Sequence, residues 1–248
     1  MAIKKVSKYR WDIAQNSEKG YWEQFNDKSL LGYLEKPYSK RARELLLEWK
    51  PFIEIGKDTK VLQIGSGPLD VINYLKINHK YSIDPLADFF KERFKGIDYE
   101  STNLQKGVGE DIPFPDKYFD IAIISNVLDH THNPEKVLLE MNRVLKDNGI
   151  LHLEIQVYQK SFLVMARILD RVKRIFKGEI FNIHHPHMFL ISEVEKIISR
   201  NFRIAVKKHQ DFQELKKERK KEKFTRSIPA IFNILGNIEY IFICKKRI

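Results

Sequence analysis

A strand that runs into a glycine turn is the feature that most constrains the fold of this chain. Residues 61–69 read Val-Leu-Gln-Ile-Gly-Ser-Gly-Pro-Leu, so strand-forming residues reach Gly65 and Gly67, and a proline follows at position 68. Glycine lets the backbone approach a ligand closely, and proline has the fixed φ of a first helical position. The pattern predicts a strand, a ligand-facing turn and a helix over 68–77, whose first free N–H groups attract an anion.

An acidic residue follows this turn at the distance typical of nucleotide-binding α/β domains. Asp84 comes after the short apolar stretch 81–83, roughly twenty residues beyond the turn, where a carboxylate accepts hydrogen bonds from ribose hydroxyls. The dinucleotide fingerprint has a third glycine where this chain has Asp70, and a carboxylate at a helix start opposes a pyrophosphate. A nicotinamide or flavin cofactor is therefore disfavoured.

Strand and helix patterns alternate along most of the chain. Strands are expected at 59–64, 79–83, 97–102, 118–125, 150–157, 202–206 and 238–244, and helices at 39–50, 68–77, 86–94, 134–146, 161–177 and 192–200. Asn133-Pro134 supplies one helix start, and Ser192 with Glu195 reads as the capping box of another. The alternation predicts five parallel strands with helices, followed by a hairpin-like pair of strands.

Length and composition place these elements in one domain. The chain has 248 residues, 43% of them hydrophobic, and no apolar run near the ~20 residues of a membrane span. The first residues lack the apolar core of a signal peptide, so a cytoplasmic location is expected. The single cysteine, Cys244, lies in a predicted buried strand, which excludes an intrachain disulfide and a cysteine-based metal cluster.

Four segments in order resemble the class I S-adenosylmethionine-dependent methyltransferases, in particular the small-molecule group related to the ubiquinone and menaquinone biosynthesis methyltransferases. The segments are residues 61–69, Asp84, residues 110–120 (EDIPFPDKYFD) and residues 143–149 (RVLKDNG). The resemblance spans about residues 59–157. It implies an α/β, Rossmann-like, doubly wound seven-stranded sheet, mostly parallel with an antiparallel C-terminal strand, and S-adenosyl-L-methionine as the cofactor.

The resemblance also implies a set of cofactor-binding residues at the ends of the strands. They are Gln63, Gly65, Ser66, Gly67, Asp84, Pro85, Glu110, Asp111, Ile112, Ser125 and Asn126. Gln63 stands where the family usually has an acidic residue that holds the methionine ammonium, so weaker binding is expected there. Leu69 replaces the family's third glycine. Val108 replaces the acid or amide often found near the adenine amino group, which leaves that contact to Glu110, Asp111 or the backbone.

Histidines are the candidates for catalysis. A sulfonium is already a strong electrophile, so the protein mainly aligns the acceptor, but an oxygen or nitrogen acceptor that bears a proton also needs a base. His130 follows the strand at 118–125 and matches a histidine common in the family, where it often shapes the site, so a positioning role is favoured over a role as the base. His184, His185 and His187 lie where the family commonly faces the acceptor. Three roles stay open for these histidines: a general base, a contact to the acceptor, or packing within a loop. No metal site is predicted, because Pro186 prevents the histidines from sharing one face of a regular element.

Three further segments are assigned from the sequence. Residues 1–38 are rich in large aromatic rings and are expected to form a lid over the cleft or to pack as helices on the sheet edge. Residues 158–190, with an amphipathic helix at 161–177, and residues 211–236, with a run of basic residues, are predicted insertions on the acceptor side. Together with the net charge of +11, they allow an anionic or lipid-linked acceptor, a peripheral membrane contact, or a solvated surface.

The sequence predicts methyl transfer to an oxygen atom of a small or mid-sized acceptor. A glycan or a lipid-linked precursor is one such acceptor. The alternative is a non-catalytic cofactor-binding or RNA-associated protein with the same fold. Methylation of nucleic-acid bases is disfavoured, because residues 125–128 read Ser-Asn-Val-Leu rather than Asn/Asp-Pro-Pro-aromatic, and Cys244 lies far from the cofactor motifs.

Overall fold

The computed structural model describes residues 5–177, 185–209 and 237–247. Its helices are α1 (Lys8–Trp22), α2 (Asp27–Trp49), α3 (Ala87–Arg93), α4 (Pro134–Val144), α5 (Lys160–Lys177) and α6 (Ile191–Asn201). Its strands are β1 (Lys60–Ile64), β2 (His79–Asp84), β3 (Leu104–Lys106), β4 (Phe119–Ser125), β5 (Leu145–Tyr158), β6 (Phe202–His209) and β7 (Asn237–Lys246). Short 3₁₀ turns lie at Val71–Tyr74, Glu100–Thr102 and Leu128–His130.

The strands of the described residues form one seven-stranded sheet in the order β3-β2-β1-β4-β5-β7-β6. β1 pairs in parallel with β2 and β4, and β4 pairs in parallel with β5. β7 lies between β5 and β6 and is antiparallel to both. The predicted Rossmann-like sheet with an antiparallel C-terminal strand is therefore confirmed. Its central strands end at one edge, where open α/β sheets bind ligands.

The central strands are apolar on both faces because helices cover both. On one face, Ile121 and Ile123 of β4 pack with α2 and the 3₁₀ turn at 71–74. On the other face, Ala122 and Ile124 pack with Val137 of α4 and its neighbours. Each of these side chains is fully buried, and burying one isoleucine or valine side chain is worth about 1.5–3 kcal/mol. The two cores hold the strand ends, and thus the site, in fixed register.

Two predicted elements are wrong: the helix after the glycine turn and the strand that follows β2. The helix predicted at 68–77 is only the 3₁₀ turn Val71–Tyr74, because the Asp70 side chain and Asn73 cap it reciprocally and Leu75 returns to extended backbone. The strand predicted at 97–102 begins instead at Leu104, after a left-handed residue, Asn103, with φ +43°. Turn-forming polar residues decided the chain path at both places.

The helix boundaries predicted from caps are partly confirmed. Asn133 caps α4, since its side chain accepts a hydrogen bond from the backbone N–H of Lys136, and Pro134 is in the first turn. The capping box at Ser192 is wrong: α6 begins at Ile191, and the Leu190 N–H donates to Glu193 Oε2 at 2.8 Å. The helix predicted at 39–50 extends back to Asp27 as α2.

No helix of the described residues combines the length and the apolar character needed to cross a bilayer. The predicted insertion at 211–236 lies outside the described residues, as do residues 178–184 of the insertion at 158–190.

Candidate active site

A cleft of about 250 Å³ lies at the carboxyl edge of β1, β2 and β4. The glycine turn and the strand ends form one wall, and side chains of α1 and α2 form the opposite one. The cleft is bordered by Trp11, Gln15, Glu18, Trp22, Tyr38, residues 64–67, Leu69, Asp70, residues 83–86, Phe90, residues 107–110, residues 125–127, His130 and Thr131. Most of these residues come from segments that are far apart in sequence.

The glycine turn forms a cradle that only glycine permits. Gly65 has φ +64° and Gly67 has φ +58°, both in the left-handed region. A Cβ at Gly65 would lie 2.4 Å from Val127 Cγ1, whereas a Cβ at Gly67 would lie 3.4 Å from the Trp22 ring. The Gly65 N–H donates to the Ile83 carbonyl at 2.8 Å, which ties the turn to β2. Backbone therefore faces the cleft where a ligand approaches.

Asp84 at the end of β2 is held by backbone donors. The Gly67 N–H donates to Asp84 Oδ2 at 3.0 Å and the Leu86 N–H donates to Oδ1 at 2.8 Å. Burial raises the pKa of Asp84 to about 6, against these two hydrogen bonds, which lower it. Each carboxylate oxygen keeps a second lone pair, so Asp84 can still accept hydrogen bonds from ligand hydroxyls.

Gln63, a predicted cofactor residue, does not border the cleft, whereas Asp70, which was not among the predicted site residues, does. Gln63 is fully buried in β1, where its Nε2 donates to Asp70 Oδ2 at 2.6 Å and its Oε1 accepts from the Ile72 N–H at 3.3 Å. Asp70 itself borders the cleft. The sequence signal for Asp70 is its position in the glycine turn, which by itself indicates only a group that opposes a pyrophosphate.

The other predicted cofactor residues divide into two groups. Ser66, Pro85, Glu110, Ser125 and Asn126 border the cleft, together with Gly65, Gly67 and Asp84. Asp111 and Ile112 do not border it.

The loop at 110–112 serves the scaffold as well as the cleft. Glu110 Oε1 accepts from the N–H groups of His132 and Asn133 at 2.7 and 2.8 Å, which fixes the start of α4. Ile112 packs in the core, and its N–H donates to Glu140. The loop that resembles the adenine-side motif is thus anchored to α4.

The cleft is acidic although the protein is basic. Glu18, Asp70, Asp84 and Glu110 border it, and none of the described residues that border it is Lys or Arg. The whole chain carries a net charge of +11, so the charge of the cleft is opposite to that of the protein. Such a lining attracts a cation and repels a pyrophosphate.

A buried charged network supports the cleft from below. Glu154 of β5 accepts from Arg41 Nη2 at 2.5 Å and lies 3.0 Å from His152 Nε2, and the Ser125 hydroxyl donates to its other oxygen. Despite burial, these partners lower the pKa of Glu154 to about 2. Trp49 Nε1 extends the network by donating to His152 Nδ1 at 3.2 Å. Sequence reasoning missed this network because its members lie on α2 and β5, up to 113 positions apart.

Two of the predicted histidines lie together at the rim. His130 borders the cleft, with its Nδ1 4.0 Å from Glu18 Oε2 and its Nε2 3.9 Å from Asp129 Oδ1. The ring of His185 lies 4.5 Å from that of His130, and its Nδ1 is 2.6 Å from Asp129 Oδ2. Burial lowers the pKa of His185, but the hydrogen bond and charge of Asp129 raise it overall. The pair of Asp129 and His185 therefore favours a charged imidazole.

The other two predicted histidines differ from this pair. The His187 Nε2 is 2.9 Å from the Thr131 carbonyl, and its ring stacks on Phe189. Burial lowers the pKa of His187 to about 4, so it is neutral near pH 7. His187 is a packed residue behind the rim. His184 lies outside the described residues.

Helix α1 covers the cleft. Trp11, Gln15, Glu18 and Trp22 all border it from this one helix, at spacings of three and four residues that place them on one face. Trp22 Nε1 donates to Glu18 Oε1 at 3.1 Å, and the Trp22 ring meets Phe90 edge to face. The α1 aromatic rings thus contribute a wall of the site.

These features fit an adenosyl sulfonium ligand: a glycine cradle, a buried carboxylate at Asp84 for hydroxyls, and an acidic lining for a cation. Together with the seven-stranded sheet, they resemble the class I S-adenosylmethionine-dependent methyltransferases. Residues 62–153 match the family described as "Methyltransferase domain". These residues are thus similar to the S-adenosylmethionine-dependent methyltransferases, a family whose cofactor is S-adenosyl-L-methionine. Membership of the ubiquinone-related group stays a prediction.

Comparisons with known proteins agree with this assignment. The chain is 37% identical over 77 residues to the uncharacterized protein MJ1123 of Methanocaldococcus jannaschii. The aligned segment covers 31% of this chain and 37% of that protein. It is 30% identical over 131 residues to a sarcosine/dimethylglycine N-methyltransferase of Halorhodospira halochloris, 48% of this chain and 46% of the relative. The chain thus spans less than half the length of either relative.

A solved structure extends the likeness to the whole fold. Geranyl diphosphate C-methyltransferase from Streptomyces coelicolor A3(2) superposes with a TM-score of 0.65, covering 98% of this chain and 100% of that one. The sequence identity is 11%, so this likeness concerns the fold alone.

Proposed function

We propose that the protein transfers the methyl group of S-adenosyl-L-methionine to a small acceptor, at an oxygen or nitrogen that loses a proton. The observation that carries the proposal is the acidic cleft between the glycine turn and α1, with His130 at its rim. When bound, the cofactor supplies an electrophilic sulfonium methyl group. The residues of the chain bind it, exclude water and remove the acceptor proton.

Each part of the cleft has a role in this proposal. Gly65 and Gly67 allow close approach of backbone, and Asp84 accepts hydrogen bonds from ribose hydroxyls. Trp11 and Trp22 exclude water from the transfer step, so α1 acts as a lid. His130 takes the acceptor proton, and Glu18 and Asp129, each within about 4 Å of its ring, stabilise the imidazolium that forms.

The lining favours a neutral or cationic acceptor. An anionic group that entered would meet Glu18, Asp70 and Glu110 without a lysine or arginine among the described residues around the cleft. The names of the relatives do not choose between acceptors, since one is an N-methyltransferase for sarcosine and dimethylglycine and the other a C-methyltransferase for geranyl diphosphate. A hydroxyl or an amine is consistent with a histidine base.

Transfer of labelled methyl groups tests the proposal. The protein is incubated with tritiated S-adenosylmethionine and a panel of sarcosine, dimethylglycine, a phenol, a free sugar and geranyl diphosphate, and binding of S-adenosylhomocysteine is measured by calorimetry. We expect cofactor binding and transfer to a neutral or cationic member. Transfer only to geranyl diphosphate would contradict the acceptor charge, and binding without any transfer would favour the non-catalytic alternative.

Histidine variants test the base. His130→Ala is expected to keep cofactor affinity and to lower the transfer rate about 10²–10⁴-fold, the usual contribution of a general base. His79→Ala is the matched control, since His79 lies at the opposite end of β2. Equal rates in the two variants would remove His130 from the mechanism.

A further inference from the structure

Asp70 is a buried acid that borders the cleft in a fixed orientation. It is 8% exposed and precedes the 3₁₀ turn, where one carboxylate oxygen accepts from the Val71 N–H and the other from Gln63 Nε2. Its own N–H donates to Asn73 Oδ1 at 3.0 Å. Val71 and Gln63 therefore hold the side chain at the side of the glycine turn, Asn73 holds the backbone, and a lone pair remains on each carboxylate oxygen.

The charge of Asp70 has no cation to balance it among the groups that influence it. Burial, together with the negative charges of Glu154 and Asp84, raises its pKa to about 7, against the hydrogen bonds from Val71 and Gln63, which lower it. Tyr38 adds no positive charge, and the Asp70 charge raises the pKa of that phenol. Glu154 is the contrasting case, because Arg41 balances it. A buried carboxylate that keeps its charge needs a cation, and the open side of Asp70 is the cleft.

We propose that Asp70 binds the primary ammonium group of the cofactor's amino-acid part, and that Gln63 orients its carboxylate. This inference rests on the proposed function, because it assigns the ligand from that cofactor. The chain lacks an acid at position 63, and the Gln63 amide instead hydrogen-bonds to the acid of Asp70, seven positions further along the chain. The departure at Gln63 is then a relocation of the acidic group.

Two ligands that differ only in the amino-acid part test the assignment. Binding of S-adenosylhomocysteine and of 5′-methylthioadenosine, which lacks the ammonium and carboxylate, is measured by calorimetry for the wild type, Asp70→Asn and Asp88→Asn. Asp88 is the matched control, since it is an exposed acid on α3 outside the cleft. We expect Asp70→Asn to weaken S-adenosylhomocysteine at least tenfold and to leave methylthioadenosine unchanged. Asp88→Asn should change neither.

The pH dependence provides a second readout. An ionised Asp70 binds an ammonium better than a protonated one, so wild-type affinity for S-adenosylhomocysteine should rise between about pH 5.5 and 7.5, below the pKa of the ligand's amino group. In Asp70→Asn, this rise in affinity for S-adenosylhomocysteine should be lost. The pH dependence of methylthioadenosine affinity should be the same in the wild type and in Asp70→Asn.

The outcomes separate the two proposals. Equal weakening of both ligands would mean that Asp70 only shapes the turn, and unchanged binding of S-adenosylhomocysteine would also overturn the assignment. A wild type that binds neither ligand would refute the proposed function and the ligand assigned to Asp70 with it. Should Asp70→Asn fail to fold, Gln63→Leu tests the same assignment, because it removes the amide that orients Asp70. It is expected to weaken S-adenosylhomocysteine binding by a smaller factor and to leave methylthioadenosine binding unchanged.

An independent observation concerns the outer face of α5. Val164, Ile168, Val172 and Ile175 are 51, 58, 44 and 76% exposed, and their spacing of three and four residues places them on one face. Phe162, Leu163 and Ala166 on the opposite face pack with Tyr158. α5 begins directly after β5, at the same edge of the sheet as the cleft.

The charge of α5 indicates the partner of this apolar face. The helix sequence contains six basic residues and one acidic residue, and Lys160 and Arg171 are exposed. Basic amphipathic helices with an exposed aliphatic stripe bind the interface of anionic bilayers. We propose that α5 docks on an anionic phospholipid surface through the row Val164, Ile168, Val172 and Ile175.

Vesicle co-sedimentation tests this surface. Wild-type protein should bind vesicles of phosphatidylcholine mixed with phosphatidylglycerol, bind phosphatidylcholine alone more weakly, and lose affinity at high salt. Ile168→Asp combined with Ile175→Asp should abolish binding, whereas Leu139→Asp, at an exposed leucine of α4, should not. Absence of binding by the wild type, or equal binding by the double variant, would overturn the proposal. The proposal would also be overturned if the wild type formed a dimer in solution and the double variant were a monomer, because this face of α5 would then bind a second copy of the chain.

Discussion

Substitution of Gly65 by alanine is the sharpest test of the cleft's architecture. Gly65 is left-handed, with φ +64°, and an added Cβ would lie 2.4, 2.6 and 3.0 Å from Cγ1, Cγ2 and Cβ of Val127. Val127 is β-branched and packs against the main core, so its methyl groups have little freedom to move. Alanine at position 65 thus meets both backbone strain and a steric overlap.

The two effects have separate magnitudes. A non-glycine residue in the left-handed region costs about 1–2 kcal/mol, and overpacking by one methyl group costs about 1–3 kcal/mol. Gly65→Ala should therefore lower the free energy of unfolding by about 2–5 kcal/mol. Val127→Ala removes both Cγ atoms and should relieve the overlap but not the strain. In the double variant, the cost should be smaller than the sum of the single costs by about 1–3 kcal/mol.

Urea unfolding of the wild type, both single variants and the double variant measures this coupling. Gly32→Ala is the control, since Gly32 lies inside α2 and a Cβ there would meet no atom within 4 Å. That control should stabilise the protein by about 0.5–1 kcal/mol. Additive effects of the two site substitutions, within about 0.5 kcal/mol, would refute the proposed overlap.

Three further predictions concern groups around the site. Because the folded protein holds the pKa of Glu154 at about 2, below its usual value of 4.5, its stabilising effect is present above pH 4.5 and lost as pH falls towards 2. Glu154→Gln should therefore reduce the loss of unfolding free energy between pH 7 and pH 3 by about 2 kcal/mol, and an unchanged pH dependence would contradict this. Asp129→Asn should lower the pKa of His185, measured by NMR titration, because it removes the charge that raises it; an unchanged pKa would exclude Asp129 as the cause. Arg143→Lys loses the planar fork whose Nη2 donates to the Ile112 carbonyl at 2.8 Å, so it should cost about 1–2 kcal/mol and speed amide exchange at 112–114, and wild-type exchange there would count against this anchor.

The sheet could be predicted from the sequence because long apolar runs and caps determine it locally. The run at 118–125 became β4, and Asn133-Pro134 started α4 as expected. The helix at 68–77 was predicted from Pro68, but the actual turn begins at Asp70, whose side chain competes for the backbone N–H groups. A one-turn element therefore replaced a helix because of one polar side chain.

The candidate site could be predicted only where one segment carries the whole signal. Gly65, Gly67 and Asp84 lie in or directly after strands, and each is at the cleft. The contributions of Trp22, Glu18 and Tyr38 depend on how α1 and α2 return over the sheet, which no local pattern encodes. The same holds for Glu154 and Arg41, which meet only after β5 and α2 have packed.

The position of β7 between β5 and β6 has a consequence for synthesis of the protein on the ribosome. β5 ends at Tyr158 and pairs on one side with β4, and β6 ends at His209, but the second edge of β5 and the edge of β6 that pairs with β7 stay open until residues 237–246 have been translated. Until then, the emerging chain exposes open strand edges, which pair readily with other chains. A nascent chain that stalls before residue 237 should therefore need chaperones, although most of the methyltransferase motifs have already been made.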